Sequence, residues 1–348
     1  MLITGGTGSL GKVLTRRILS GERGTPRKVI IFSRDEAKQH YMRLDYLHLS
    51  ISTDEVIFNN FKRALEFVIG DVRDFHAVSS IVRRADIIFN AAALKQVPTC
   101  EYFPFEAVQT NIGGPENIVR AIRESKLSVQ TVVGISTDKA CKPVNVMGMT
   151  KAIQERIFMA ANLTCPQTRF VCARYGNVLA SRGSVIPLFH SQIKNGGPVT
   201  ITTEDMTRFL LSLEQAVDTI FAAIEFGHRG ETFIPRVPAA RVVDIAKVLI
   251  GQRKIATKVT GIRPGEKIHE SLISEEESQR SVTRGEFYAI RPILTEMDGC
   301  PDEPRALLGE YSSSSFVMSF EETGELLRRN KLLVEDAGEN LQANEILR

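Results

Sequence analysis

Short, buried-looking apolar runs alternate with helix-period stripes through the first half of this chain. That rhythm limits its fold more than any other feature. The runs are Leu2-Ile3, Val29 to Phe32, Leu65 to Ile69, Ile87 to Phe89, Val129 to Ile135 and Phe170 to Ala173. After the first, Leu10, Val13, Leu14 and Ile18 recur at helical spacing, and helices are expected around Glu106 to Ser125 and Lys151 to Asn162. Strands alternating with helices make a parallel sheet covered on both faces, because each parallel connection must cross back over the sheet. The expected class is α/β, with a doubly wound parallel sheet.

The rhythm changes after Arg174. Gly176 to Pro187 reads as loop, and Leu213 to Phe226 as a helix whose Ser212 and Gln215 fit a capping box. Thr232-Phe233-Ile234, a helix over Val242 to Ile250, and Lys258 to Gly261 follow. Ser274 to Arg284 is polar and is expected as a mobile surface loop, and the C-terminal tail is charged. At 348 residues the chain is long for one domain. The expected division is residues 1–176 as a Rossmann-type domain and residues 177–348 as a smaller C-terminal α/β substrate domain. The helix and strand near 207–235 are expected to return to the first domain.

Composition excludes several function classes. The chain is 43% hydrophobic and 24% charged, with a formal charge of +3 from interspersed residues and no basic stripe for nucleic acid. No apolar run approaches the roughly 20 residues of a membrane helix, and the first residues lack the pattern of a secretion signal. The five cysteines form no CxxC pair and are odd in number, so they read as reduced thiols of a cytoplasmic protein, neither a disulfide frame nor a metal site. Cys141 reads as a bystander.

Gly5, Gly8 and Gly11 follow the first strand and open the first helix, with Thr7, Ser9 and Leu10 between them. Glycines so placed permit a tight turn and let the backbone approach a pyrophosphate, which the helix N-terminus attracts. The second strand ends Phe32-Ser33-Arg34-Asp35. Ser33 and Arg34 suit the 2′-phosphate of NADP, whereas Asp35 would serve the ribose of NAD. NADP is the expected cofactor, with NAD as the other choice. Asp71, with Val72 beside it, is placed to meet the adenine; capping the helix that begins near Asp74 is its other reading.

The fifth strand ends Ser136-Thr137-Asp138-Lys139, and Met147 precedes Lys151 by one helical turn. Asp138 and Lys139 supply an acid and a base side by side, and Pro143 and Asn145 allow the strand end to turn and bring them together. As a base Lys139 must be partly neutral, and burial together with Lys151 is expected to lower its pKa. Burial is expected to raise that of Asp138.

These segments, with Asn90-Ala91-Ala92-Ala93, Leu94-Lys95-Gln96-Val97-Pro98, Gly176-Asn177-Val178, Ser181-Arg182-Gly183-Ser184 and Arg263-Pro264-Gly265-Glu266-Lys267, resemble the extended short-chain dehydrogenase/reductases. More closely they resemble the nucleotide-sugar 4,6-dehydratases, in particular the inverting UDP-N-acetylglucosamine group. Met147 stands where the catalytic tyrosine of that pattern would be. The resemblance implies that carbon 4 of the sugar is oxidised, carbon 5 loses a proton, carbon 6 loses water and then receives the stored hydride. It places Ala91, Ala92 and Lys95 by the cofactor, Lys151 on the nicotinamide ribose, and Thr137 on the carbon 4 hydroxyl. It implies that Lys95, Asn177, Arg182, Ser184, Arg208, Arg263 and Glu266 meet the UDP-sugar, and that the chain forms a homo-oligomer, dimer or hexamer. Two other readings stand: a UDP-sugar 4-epimerase, which needs no acid–base pair for carbons 5 and 6, and a non-catalytic NADP-binding scaffold.

Overall fold

The apolar runs form parallel strands in the computed structural model, which describes residues 1–48, 55–179, 184–297 and 303–336. They are β1 (Leu2–Thr4), β2 (Val29–Ser33), β3 (Leu65–Ile69), β4 (Ile87–Asn90), β5 (Thr131–Thr137) and β6 (Arg169–Tyr175). Their order across the sheet is β3-β2-β1-β4-β5-β6, a Rossmann-type arrangement. Successive residues point to opposite cores: Leu2, Ile30, Ile88 and Val132 to one, and Ile3, Ile31, Phe89 and Val133 to the other. Both faces are thus apolar, which is why the strands read as unbroken runs and not as alternation.

The second half of the chain extends this sheet. Thr232–Pro235 pairs parallel with β6, and Phe287–Ile290 and Ser281–Arg284 add an antiparallel edge, making nine strands. The stretch from Ser274 to Arg284 is therefore not a loop. It is a short helix, Glu275–Ser278, followed by the edge strand. Its polar residues are satisfied locally and at depth: Ser274 and Glu277 make a capping box, and Glu277 pairs with the buried Arg174. Polarity along the chain concealed both.

The helix expected around Glu106 to Ser125 is a run of Pro104–Val108, a π-helical turn at Gln109–Gly113, and Gly114–Ser125. Beyond β6, Asn177–Val178, Thr207–Leu211 and Ala239–Arg241 make a small sheet, and Val199–Ile201 pairs with Thr257–Val259. Ile186, Leu210, Ile245, Leu249 and Leu327 fill a third core there. Among the described residues no helix is long and apolar enough to cross a membrane.

Candidate active site

A cavity of about 880 Å3 opens where the parallel strands end, with walls from both halves of the chain. At one end β1 turns into the helix Ser9–Ser20. Gly5 has φ +66°, and a Cβ there would fall 2.7 Å from Ala92 Cα. Gly8 caps the helix without a side chain, so its first-turn N–H groups are uncovered beside the cavity, a setting that suits an anion. Thr7, Ser9, Leu10 and Gly11 line the same wall.

At the end of β2, Gln39 Nε2 donates to Ser33 Oγ at 3.0 Å. Asp35 is turned to the following helix: Oδ1 accepts from Lys38 N at 2.9 Å and Oδ2 lies 2.8 Å from Lys38 Nζ. The side chain and backbone of Lys38 hold that carboxyl below its ordinary range. Arg34 is exposed and lies 3.6 Å from Asp71 Oδ2. Burial raises the Asp71 carboxyl, but hydrogen bonds from Arg73 outweigh it and hold the group below its ordinary value. The helix Phe75–Val82 is capped by Asp74, not Asp71. Val72, Ala91 and Ala92 complete this wall, with Lys95 exposed at its rim. The uncovered helix start and the cationic Arg34 and Lys38 fit a nicotinamide dinucleotide.

β5 ends in a single 3-10 turn, Asp138–Ala140, capped by Thr137. The turn brings two neighbouring side chains together that would diverge on a strand: Lys139 Nζ lies 3.1 Å from Asp138 Oδ1. It also lies 3.2 Å from Glu270 Oε1 and 3.3 Å from Asn177 Oδ1. Here the structure corrects the expectation for Lys139. Burial does act to lower its pKa, but Asp138 and Glu270 outweigh burial even against Arg208, and the amine is held above its ordinary value. Lys139 is an ammonium in the resting site.

Asp138 is fully buried behind the wall. Its Oδ1 accepts from Thr137 Oγ1 at 2.8 Å, and its Oδ2 has no hydrogen-bond partner among the described residues. It reaches the cavity through Thr137 and Lys139, which line it.

Lys151 is buried, and burial brings its pKa down to about 8. Its Nζ donates to Gln154 Oε1 at 2.6 Å. Met147 packs with Cys100 and Ala107 at the cavity edge. The helix Val146–Thr164 that carries both starts at Asn145, which caps Gly148 N and donates to Gly265 O, each at 2.8 Å. A Cβ on Gly148 would fall 2.2 Å from Lys139 O, so this helix start is pressed directly onto the Asp138–Ala140 turn.

On the opposite wall lie Asn177, Ser184, Arg208, Arg263 and Glu266. Arg182 falls outside the described residues. Arg208 is buried, and its guanidinium donates to the carbonyls of Thr207, Ile268 and Lys267 at 2.7, 3.0 and 3.0 Å. It braces the segment that carries Glu266 and Glu270. Arg263 is exposed, while Glu266 Oε2 and Ser184 Oγ are buried atoms without partners among the described residues.

Three residues here escaped sequence reasoning. Glu270 had no signal beyond its place after the Arg263-to-Lys267 segment. Asn111 sits in the π-helical turn; its Oδ1 accepts from Leu94 N at 2.8 Å and its Nδ2 donates to Thr150 Oγ1 at 3.0 Å. Such turns favour functional positions, but a one-residue widening has no sequence signature. Tyr175 lines the cavity, and burial raises its phenol above the ordinary value, so it is no proton acceptor. Cys141 is likewise inert, its thiol pushed up to about 12 by burial.

A family model described as "Polysaccharide biosynthesis protein" matches residues 1–292. A curated protein of Rickettsia bellii named UDP-glucose 4-epimerase is 42% identical over 338 residues, covering 94% of this chain and 94% of that protein. The X-ray structure of Pen from Bacillus thuringiensis superposes with a TM-score of 0.82 at 34% identity, covering 95% of this chain and 98% of that one. The dTDP-glucose 4,6-dehydratase DesIV of Streptomyces venezuelae, solved with NAD, shares the fold with a TM-score of 0.66 at 19% identity over 95% and 97% of the two chains.

Proposed function

Since the chain belongs to the polysaccharide biosynthesis protein family, among the nucleotide-sugar-modifying short-chain dehydrogenase/reductases, we propose that it is a UDP-N-acetylglucosamine 4,6-dehydratase. It would invert carbon 5 and yield a UDP-4-keto-6-deoxy-N-acetylhexosamine for surface glycan synthesis. One observation carries the reading. A buried carboxylate and an ammonium, Asp138 and Lys139, share a hydrogen bond of 3.1 Å at the end of β5. Dehydration across carbons 5 and 6 needs both an acid and a base there, and simple 4-epimerisation does not.

When bound, the nicotinamide nucleotide would supply the hydride acceptor and donor that the reaction needs. Gly5, Gly8 and Gly11 would admit its pyrophosphate. Ser33 and Arg34 favour NADP, because Asp35 is already engaged by Lys38 of its own helix. Lys151 would hold the nicotinamide ribose. Lys139 takes the carbon 5 proton after losing one of its own. Asp138 takes the carbon 4 hydroxyl proton and delivers one to the departing carbon 6 oxygen, through the Thr137 hydroxyl to which it is bonded. Met147, a thioether, only packs. Asn177, Ser184, Arg263 and Glu266 would hold UDP, with Arg208 bracing their wall. Residues 1–176 would thus serve the cofactor and 177–348 the sugar nucleotide, in a cytoplasmic homo-oligomer.

The second reading is a UDP-sugar 4-epimerase, favoured by the name of the Rickettsia bellii relative. Turnover of UDP-N-acetylglucosamine in heavy water separates the two. The dehydratase incorporates deuterium at carbon 5 and releases a 4-keto product with inverted configuration, read by NMR. An epimerase leaves carbon 5 unlabelled, and that outcome would displace the first reading.

A further inference from the structure

Lys139 presents a difficulty for any reaction that uses it as a base. An ammonium has three N–H donors, and three oxygens surround this one: Asp138 Oδ1 at 3.1 Å, Glu270 Oε1 at 3.2 Å and Asn177 Oδ1 at 3.3 Å. No lone pair is free. The amine must give up a proton before it can take one from carbon 5. Its side chain is 22% exposed and lines a cavity that a bound sugar would fill, so water is a poor destination. Asparagine cannot receive it. Asp138, in the proposed reaction, carries the proton for the carbon 6 oxygen.

Glu270 remains. Its side chain is 3% exposed, Oε1 faces the amine, and Oε2 is buried without a hydrogen-bond partner among the described residues. A proton there breaks no existing hydrogen bond. The backbone is fixed: Glu270 N donates to Ser313 Oγ at 2.9 Å, and Ser313 N donates to Glu270 O at 2.8 Å. The segment is braced by Arg208, the other cation facing the cluster.

We propose that Glu270 stores the proton Lys139 must release, switching the amine from ammonium to base. The inference rests on the dehydratase reading. In the switch a Lys139 N–H bond breaks and a Glu270 O–H bond forms, leaving a neutral amine beside a neutral acid. The amine then takes the carbon 5 proton as the C–H electron pair enters the enolate. A solvent proton then adds to carbon 5 from the opposite face, Lys139 keeps the proton it took, and Glu270 releases the stored proton to water when the product leaves, which restores the resting pair. Glu270 acts through Lys139 and is a positioning residue in that sense.

Two measurements on Glu270→Gln and Glu270→Asp test this. The first needs no turnover: lysines of the intact protein are trace-acylated across a pH range, and Lys139 modification is read by mass spectrometry. Glu270→Gln is expected to lower the midpoint for Lys139 by about one pH unit or more, since one of two carboxylates facing the ammonium is gone. An unchanged midpoint overturns the proposal. The second is deuterium uptake at carbon 5 of UDP-N-acetylglucosamine. The Gln variant should lose about 100-fold or more with UDP affinity unchanged, and the Asp variant should recover part of it. Uptake within about threefold of wild type in the Gln variant, or losses of uptake and UDP affinity together in both variants, overturn the proposal. Should the wild type itself take up no deuterium, the dehydratase reading fails, while the acylation midpoint still decides whether Glu270 governs Lys139.

Discussion

Glu277→Gln removes one charge from a buried network, together with one of the two carboxylate oxygens that accept from Arg174. Arg174 is 2% exposed; it donates to Glu155 Oε2 at 2.6 Å, to Glu277 Oε2 at 2.7 Å and to Leu272 O at 2.8 Å. Burial by itself would raise the Glu277 carboxyl, but the charge and hydrogen bonds of Arg174 bring it from 4.5 down to about 2. The difference, 4.5 − 2 = 2.5, at about 1.4 kcal/mol per unit gives about 3 kcal/mol of stability at neutral pH. A depressed carboxylate contributes fully above its unfolded value of 4.5 and loses that contribution as pH falls toward 2. Glutamine keeps the size and an oxygen for Ser274 N, so the capping box survives. Urea unfolding should show a loss of about 3 kcal/mol at pH 7, shrinking to about 1.5 kcal/mol at pH 3. A loss that is equal at the two pH values, or below about 1 kcal/mol at pH 7, would refute the charge argument. The network also reaches the site: Ser136 Oγ donates to Glu155 Oε1 at 2.5 Å, one residue before Thr137.

Other predictions concern the site itself. Lys139→Ala should cut deuterium uptake at carbon 5 by about 100-fold or more, whereas Met147→Leu should stay within about tenfold of wild type and cost less than about 1.5 kcal/mol in stability. Equal loss in both variants would return the proton chemistry to the helix. Arg34→Ala should weaken NADP about tenfold and leave NAD unchanged, by fluorescence titration, because only the former has a 2′-phosphate to pair with it. Parallel weakening of both would remove Arg34 from that role. Gly148→Ala would put a Cβ 2.2 Å from Lys139 O, forcing the helix start off the turn. The expected cost is about 1 to 3 kcal/mol, and an unaltered Tm would contradict it.

Features that depend on a few neighbouring residues are legible in the amino-acid order itself. The helices Leu213–Phe226 and Val242–Ile250 fall where their periodicity places them, and Ser212 and Gln215 do make a capping box. The β1–β6 runs read as strands because both faces of a parallel sheet are apolar. Ser274–Arg284 misread because its polar residues are satisfied by partners far along the chain, Arg174 above all. The same limit governs the site. Sequence alone determined that a glycine turn opens the first helix, that an acid and a base end β5, and that the thioether of Met147 carries no proton. Only the tertiary structure decided the charge on Lys139. Its neighbour Asp138 favours that charge, and so does Glu270, which folding carries to 3.2 Å from the amine, against burial and Arg208. Electrostatic coupling depends on distance and burial in space, and neither is encoded by the residues adjoining Lys139.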